Sequence, residues 1–96
     1  MKGRIMKTKW KEFCEDWLAD EPDILTVLEV KRITGYCKSS VQGWINRGLV
    51  VAFQAKRSNK IPRSSLLKFM ASDYFRNMHV KTKKLKEKLS EFERMD

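Results

Sequence analysis

Apolar residues recur at helical spacing along much of the chain. Trp10, Phe13, Cys14, Trp17 and Leu18 fall at i, i+3, i+4, i+7 and i+8, one stripe that predicts a helix within residues 8–21. Aromatic side chains at that spacing belong to a core. Glu21-Pro22-Asp23 ends the helix, because proline cannot continue it and restricts the residue before it. Thr26 followed by Glu29 is a capping box, in which each side chain takes the other residue's unpaired backbone N–H. A short helix near 27–33 follows, with Val27, Val30 and Ile33 turned inward. Thr34-Gly35-Tyr36 then makes a tight turn, with Gly35 at the position that needs positive φ. A second helix near 38–47 carries Val41, Trp44 and Ile45 on its inner side and closes at Gly48.

Beyond that point the pattern changes. Val50 to Ala55 is rich in β-branched and aromatic residues and reads as a strand. Lys56-Arg57-Ser58-Asn59 is a polar turn, and Lys60-Ile61 returns beside the first strand, giving a two-stranded hairpin. Pro62 suits the entry to a third helix with Leu66, Leu67, Phe69 and Met70 as its apolar content. The tail, 71–95, lacks glycine and proline and reads as one long helix. Ala71, Phe75, Met78, Thr82, Leu85, Leu89 and Phe92 follow steps of four and three, a heptad seam. Two occupants fit that seam: the helix's own domain, or a second copy in a homodimer through residues 71–92.

These elements add up to a mainly α fold. Two short helices meeting at a glycine turn and followed by a small two-stranded β-hairpin wing make a winged helix-turn-helix over 24–70. An added N-terminal helix (8–21) and a long C-terminal helix (71–95) flank it, and the 96 residues suffice for a single domain.

Charge sharpens the picture. The chain has 21 Lys and Arg against 12 Asp and Glu, a formal +9. Residues 1–11 hold five bases and no acid, and residues 12–23 hold six acids and no base. From Lys31 to Lys68 there are nine bases and no acid. A face serving solubility mixes signs, so a long acid-free stretch points to a polyanion, with nucleic acid ahead of a membrane surface.

Other chemistries find little support. His79 is the only histidine and has no nucleophile or carboxylate at a partner spacing, so no enzyme is expected. The acids of 12–23 alternate with the aromatic stripe and form that helix's wet face; they lack the glycine and ligand spacing of a calcium loop. Cys14 and Cys37 form no metal or disulfide pattern. No metal or other cofactor is therefore expected. The reduced thiols, the lack of a signal-peptide run and the lack of a roughly 20-residue apolar span suggest a cytoplasmic protein with no membrane contact.

The run Leu25-Thr26-x-x-Glu29-Val30-x-x-Ile33-Thr34-Gly35-Tyr36-Cys37-Lys38-Ser39-Ser40-Val41-x-x-Trp44-Ile45-x-x-Gly48, with Ile61-Pro62-Arg63 and Leu66 to Phe69 behind it, resembles the excisionase-like, MerR-related DNA-binding domains. Its most specific parts are Trp44-Ile45-Asn46-Arg47-Gly48 and Ile61-Pro62-Arg63. The resemblance implies a second helix in the major groove of double-stranded DNA and a wing on the backbone or minor groove. It also implies a bacterial, phage or mobile-element origin, and either transcriptional regulation or DNA recombination beside a recombinase partner. Two positions depart from the family: Cys37 stands where Ser or Thr caps the helix, and Gly43 where a large or basic residue is common.

With Val41, Trp44 and Ile45 inward, the recognition helix offers Lys38, Ser39, Ser40, Gln42, Gly43, Asn46 and Arg47 to DNA. Gln42 and Asn46 lie one turn apart, and either amide suits adenine; Lys38 and Arg47 suit phosphate or guanine. Ser40 is the second choice in this set, being equally placed to support the turn. The wing and its return supply Lys56, Arg57, Ser58, Asn59, Lys60 and Arg63 for phosphates. A protein–protein interaction module, with the tail as a coiled coil, is the alternative class. Duplex binding at low salt separates the two. RNA ranks third, since no stacking platform of exposed aromatics on strands is evident.

Overall fold

The computed structural model describes residues 2–94, and their side chains from Trp10 onward. In chain order the elements are α1 (Lys2–Leu18), β1 (Ile24–Thr26), α2 (Val27–Thr34), α3 (Lys38–Asn46), β2 (Phe53–Ala55), β3 (Ser58–Pro62), α4 (Arg63–Met70), α5 (Asp73–Arg76) and α6 (Lys83–Arg94). This is the mainly helical winged helix-turn-helix architecture that the apolar pattern implies.

The helix-turn-helix forms for local reasons. Thr26 caps α2: its hydroxyl accepts from the Glu29 N–H at 3.1 Å, and the Glu29 carboxylate accepts from the Thr26 N–H at 2.8 Å. Gly35 ends α2 at φ 82, donating its N–H to the Lys31 carbonyl at 2.8 Å. On α3, Val41 and Trp44 are buried and Ile45 is half-buried against the core. Trp44 sits among rings, with Phe69 at 4.8 Å and Tyr36 at 5.3 Å between centroids. Truncating a side chain so placed costs roughly 3–5 kcal/mol. That packing fixes which side of α3 is left for solvent.

The sheet has three strands, not two. The order is β1-β3-β2, antiparallel throughout, with Leu25 opposite Ile61 and Gln54 opposite Asn59. Leu25 and Ile61 are both fully buried, so β1 closes the core side of the wing. The first hairpin strand is also shorter than residues 50–55. The Ser65 hydroxyl accepts from the Val51 N–H and donates to the Val51 carbonyl, each at 2.9 Å, which takes Val51 out of any ladder.

The flanking helices differ most from expectation. The helix read within 8–21 begins at Lys2 and stops at Leu18, where turn bonds from Ala19 and Glu21 close it before Pro22 is reached. The stretch read as one long helix over 71–95 is broken. Ser72 caps α5, its side chain accepting from the Phe75 N–H at 3.4 Å, and α5 stops after one turn. Thr82 begins α6, accepting from the Leu85 N–H at 3.2 Å. His79 lies exposed in the connection between them rather than within one long helix.

The heptad seam dissolves accordingly. Phe75, Leu85 and Phe92 are buried in the chain's own core, with Met78 and Leu89 packed against it. Phe92 meets Trp10 edge-on at 5.2 Å and Phe13 at 5.5 Å, and the Arg76 guanidinium lies 5.2 Å from the Trp10 and Phe92 ring centres. Of the two occupants considered for these positions, the structure supplies the domain itself: α6 folds back on α1.

Candidate nucleic-acid interface

The solvent side of α3 carries Lys38, Ser39, Asn46 and Arg47 exposed, with Ser40, Gln42 and Gly43 half-buried. The helix starts without a side-chain cap at Cys37. The Cys37 thiol instead pairs with the Ser39 hydroxyl at 3.2 Å and the Ser40 hydroxyl at 3.3 Å. These hydrogen bonds, Ser39 first and Ser40 second, lower the Cys37 pKa to about 6. Ser39 and Ser40 are thus engaged with the helix entry as well as facing outward.

Gly43 is not demanded by packing. A Cβ added there meets only the Arg47 Nη2, at 3.9 Å. Arg47 folds back along α3, its Nε donating to the Gly43 carbonyl at 3.3 Å.

The wing is a two-residue hairpin. Ala55 pairs with Ser58, so Lys56 and Arg57 alone form the turn, with φ of 52° and 70°. Both central residues of such a turn need positive φ, which is why Asn-Gly is the usual pair there. Here two cations occupy it, each at a steric cost of about 1–2 kcal/mol. The Ser58 hydroxyl donates to the Ala55 carbonyl at 3.2 Å and steadies the turn.

Wing and helix meet through amides. Asn59 Nδ2 donates to Gln42 Oε1 at 3.0 Å, and Gln42 Nε2 donates to Asn46 Oδ1 at 3.3 Å. Lys38, Gln42, Arg57, Ser58 and Asn59 line one groove together with Thr26, Val27 and Leu28 from the start of α2. No acidic side chain lines it among the described residues. Gln42, Asn46 and Arg57, drawn from two elements, therefore share one region of the surface.

Two of the residues read as phosphate ligands are placed differently. Lys60 is half-buried in the central strand, opposite both Thr26 and Phe53. Arg63 is turned to the other end of the sheet. Its guanidinium donates to the Glu21 carbonyl at 2.6 Å and pairs with the Asp23 carboxylate at 3.1 Å. Its backbone N–H donates to the Asp23 carbonyl at 2.7 Å. Arg63 pins the α1–β1 connection to α4, and its charge is already met, so the structure does not bring it to the wing tip. Leu28, 66 % exposed, was not among the expected site residues yet lines the groove. Its signal was available: it is an apolar residue off the Val27, Val30, Ile33 stripe.

The sequence model described as a helix-turn-helix domain matches residues 24–74, just over half of the chain. The chain belongs to this helix-turn-helix family. Neither the curated proteins nor the solved structures compared with it give a match. Membership makes this helix-turn-helix protein a DNA-binding regulator by class, in a family that is typically non-enzymatic. The matched span contains β1 through α4 and the first residues of α5, so every residue of the groove lies inside it, while α1 and α6 lie outside. Among the described residues no group of His, Cys, Asp and Glu is placed to hold a metal, and no helix is long and apolar enough to cross a membrane.

Proposed function

We propose that this helix-turn-helix protein binds double-stranded DNA in a sequence-dependent way, with α3 in the major groove and the Lys56–Arg57 turn on the adjacent backbone. The observation that carries the reading is the groove itself: an acid-free surface in which Lys38 and Gln42 of α3 face Arg57, Ser58 and Asn59 of the wing. An α-helix fits the major groove, where donor and acceptor patterns distinguish all four base pairs. Lysine and arginine beside it contact phosphate, which sets position and affinity rather than sequence.

The excisionase-like resemblance of residues 24–70 supports a finer role. In that reading the protein works in the cytoplasm of a bacterium, on a phage or mobile element, either as an accessory factor beside a recombinase or as a small transcriptional regulator. Both roles use the same binding chemistry. A DNA-bending measurement together with capture by a cognate recombinase separates them.

The test of DNA binding is a salt titration with duplex. Lys38, Arg47, Lys56 and Arg57 together neutralise about four phosphates, so log affinity should fall against log salt with a slope of roughly −3 to −4. A slope near zero, or no binding to duplex at about 50 mM salt, overturns the reading.

A further inference from the structure

Three carboxamides stand in series between the wing and the exposed side of α3. Each presents one end that donates and one that accepts, so two amides in contact must alternate. Asn59, half-buried on the central strand, donates to Gln42, and Gln42 donates to Asn46. The series runs one way. Gln42 accepts at one end and donates at the other, and the Asn46 oxygen accepts from Gln42. Among the described residues the Asn46 Nδ2 has no protein partner, and it sits on the exposed face of the helix. Its two hydrogens are open to a ligand.

We propose that Asn59 and Gln42 are positioning residues that set the polarity of the Asn46 amide, so that Asn46 selects a base edge that accepts hydrogen bonds. This rests on the DNA reading above. In the major groove guanine offers two neighbouring acceptors, N7 and O6, and thymine offers O4, whereas cytosine offers only the N4 donor. Asn46 therefore favours guanine over cytosine. Adenine, which needs the carboxamide oxygen as well as its N–H, must share that oxygen with Gln42. Gln42 keeps one Nε2 hydrogen and one oxygen lone pair, but its bonds to Asn59 and Asn46 hold its amide in place. Polarity set in the wing is in this way expressed at a base the wing does not touch.

The relay makes an unusual forecast for a change outside the base contact. In Asn59→Asp the wing group only accepts, so Gln42 must turn end for end to offer it Nε2. The Gln42 oxygen then faces Asn46, whose Nδ2 turns inward and whose oxygen turns out. The added negative charge weakens all duplexes alike, while the base ratio reports the polarity. Sites are selected from a random duplex pool with the intact protein, Asn46→Ala, Asn59→Asp and Asn59→Ala. The position read by residue 46 is the one whose preference Asn46→Ala abolishes.

At that position the intact protein is expected to prefer guanine over cytosine by about tenfold, the lower part of the range for one side-chain readout. Asn59→Asp is expected to reverse the preference toward cytosine or adenine, which present donors, and Asn59→Ala to flatten it. Thermal melting of each variant confirms that it is folded, and Asn59→Ala keeps the test decisive if Asn59→Asp is not. An unchanged base in the folded Asn59 variants overturns the relay while leaving DNA binding intact. So does an Asn46→Ala protein with no altered position. A pool from which the intact protein captures nothing overturns the DNA reading, and the relay with it.

Discussion

Besides Gly48 at the end of α3, two turns hold residues at positive φ, and they solve the problem in opposite ways. The turn between α2 and α3 uses glycine: Gly35, at φ 82, is followed by Tyr36 and overlaid by the start of α6. Thr82 donates to the Thr34 carbonyl at 2.6 Å, and the Tyr36 hydroxyl donates to the Val80 carbonyl at 2.7 Å. The wing turn has no glycine and no overlay. Lys56 and Arg57 take the same left-handed conformation while exposed. The first turn is built for stability of the fold. The second gives some stability away to carry two charges at an exposed tip, the kind of strain that belongs to functional sites.

The largest effect is expected where the clamp is closest. A Cβ at Gly35 would lie 2.9 Å from Thr82 Oγ1 and 3.1 Å from Lys84 Cβ. Gly35→Ala combines that overlap with an unfavourable φ and should destabilise the protein by about 2–4 kcal/mol in urea titration. A loss below half of that would show that α6 is loosely held and the contrast overstated. Thr82→Val tests the clamp from its other side, keeping the shape of the side chain. It removes the bond to Thr34 and the cap on Leu85, for an expected loss of about 1–2 kcal/mol.

Thr82 also shows what sequence reading could and could not reach. In the tail it is a polar member of an otherwise apolar heptad series. Its actual role is a cap and a strap, and the regular steps of four and three arise because two separate helices each turn a stripe inward: Phe75 on α5, then Leu85, Leu89 and Phe92 on α6. Periodicity reports which side of a helix is buried, not whether the helix is continuous. The helix-turn-helix was legible because its determinants are local. The Thr26–Glu29 box, Gly35 and the Val41–Trp44 stripe each act within one or two turns.

What the sequence hid is non-local. β1 has three residues, too few for alternation to show, and exists because residues 60–62 pair with it. The charge of Arg63 gave no hint that Asp23 and the Glu21 carbonyl would meet it. Spacing on one helix marks Gln42 and Asn46 as the amides proposed to read bases, yet the contact that orders them comes from Asn59, in another element.

The wing offers the sharpest reversal. Lys56→Asn combined with Arg57→Gly installs the pair that this turn geometry prefers and should raise stability by about 1 kcal/mol. The same change removes two phosphate contacts, so the salt slope for duplex binding should become shallower by about 2. Stability up and affinity down in one variant is the signature of strain retained for binding. If both rise together, the tip cations do not touch the duplex.

The smallest effect lies where the first turn hands over to α3, and it divides the two thiols. Cys37 sits at the exposed entry of α3, where hydrogen bonds from Ser39 and then Ser40 favour its thiolate and bring its pKa to about 6. Cys14 is buried in the core, and desolvation pushes its pKa up to about 12 against the opposing charge of Arg76. A thiolate is the species that alkylates. At neutral pH the native protein should therefore take up one equivalent of iodoacetamide, at Cys37, with a rate that rises through about pH 6, and a second only after unfolding. Ser39→Ala should move that midpoint upward, and Ser40→Ala by less, because Ser39 contributes the larger share. An alkylation profile that keeps the ordinary thiol midpoint would mean that the serine hydroxyls face solvent. The entry of α3 would then be as open as the wing, leaving the contrast between the two turns to rest on the α6 clamp alone.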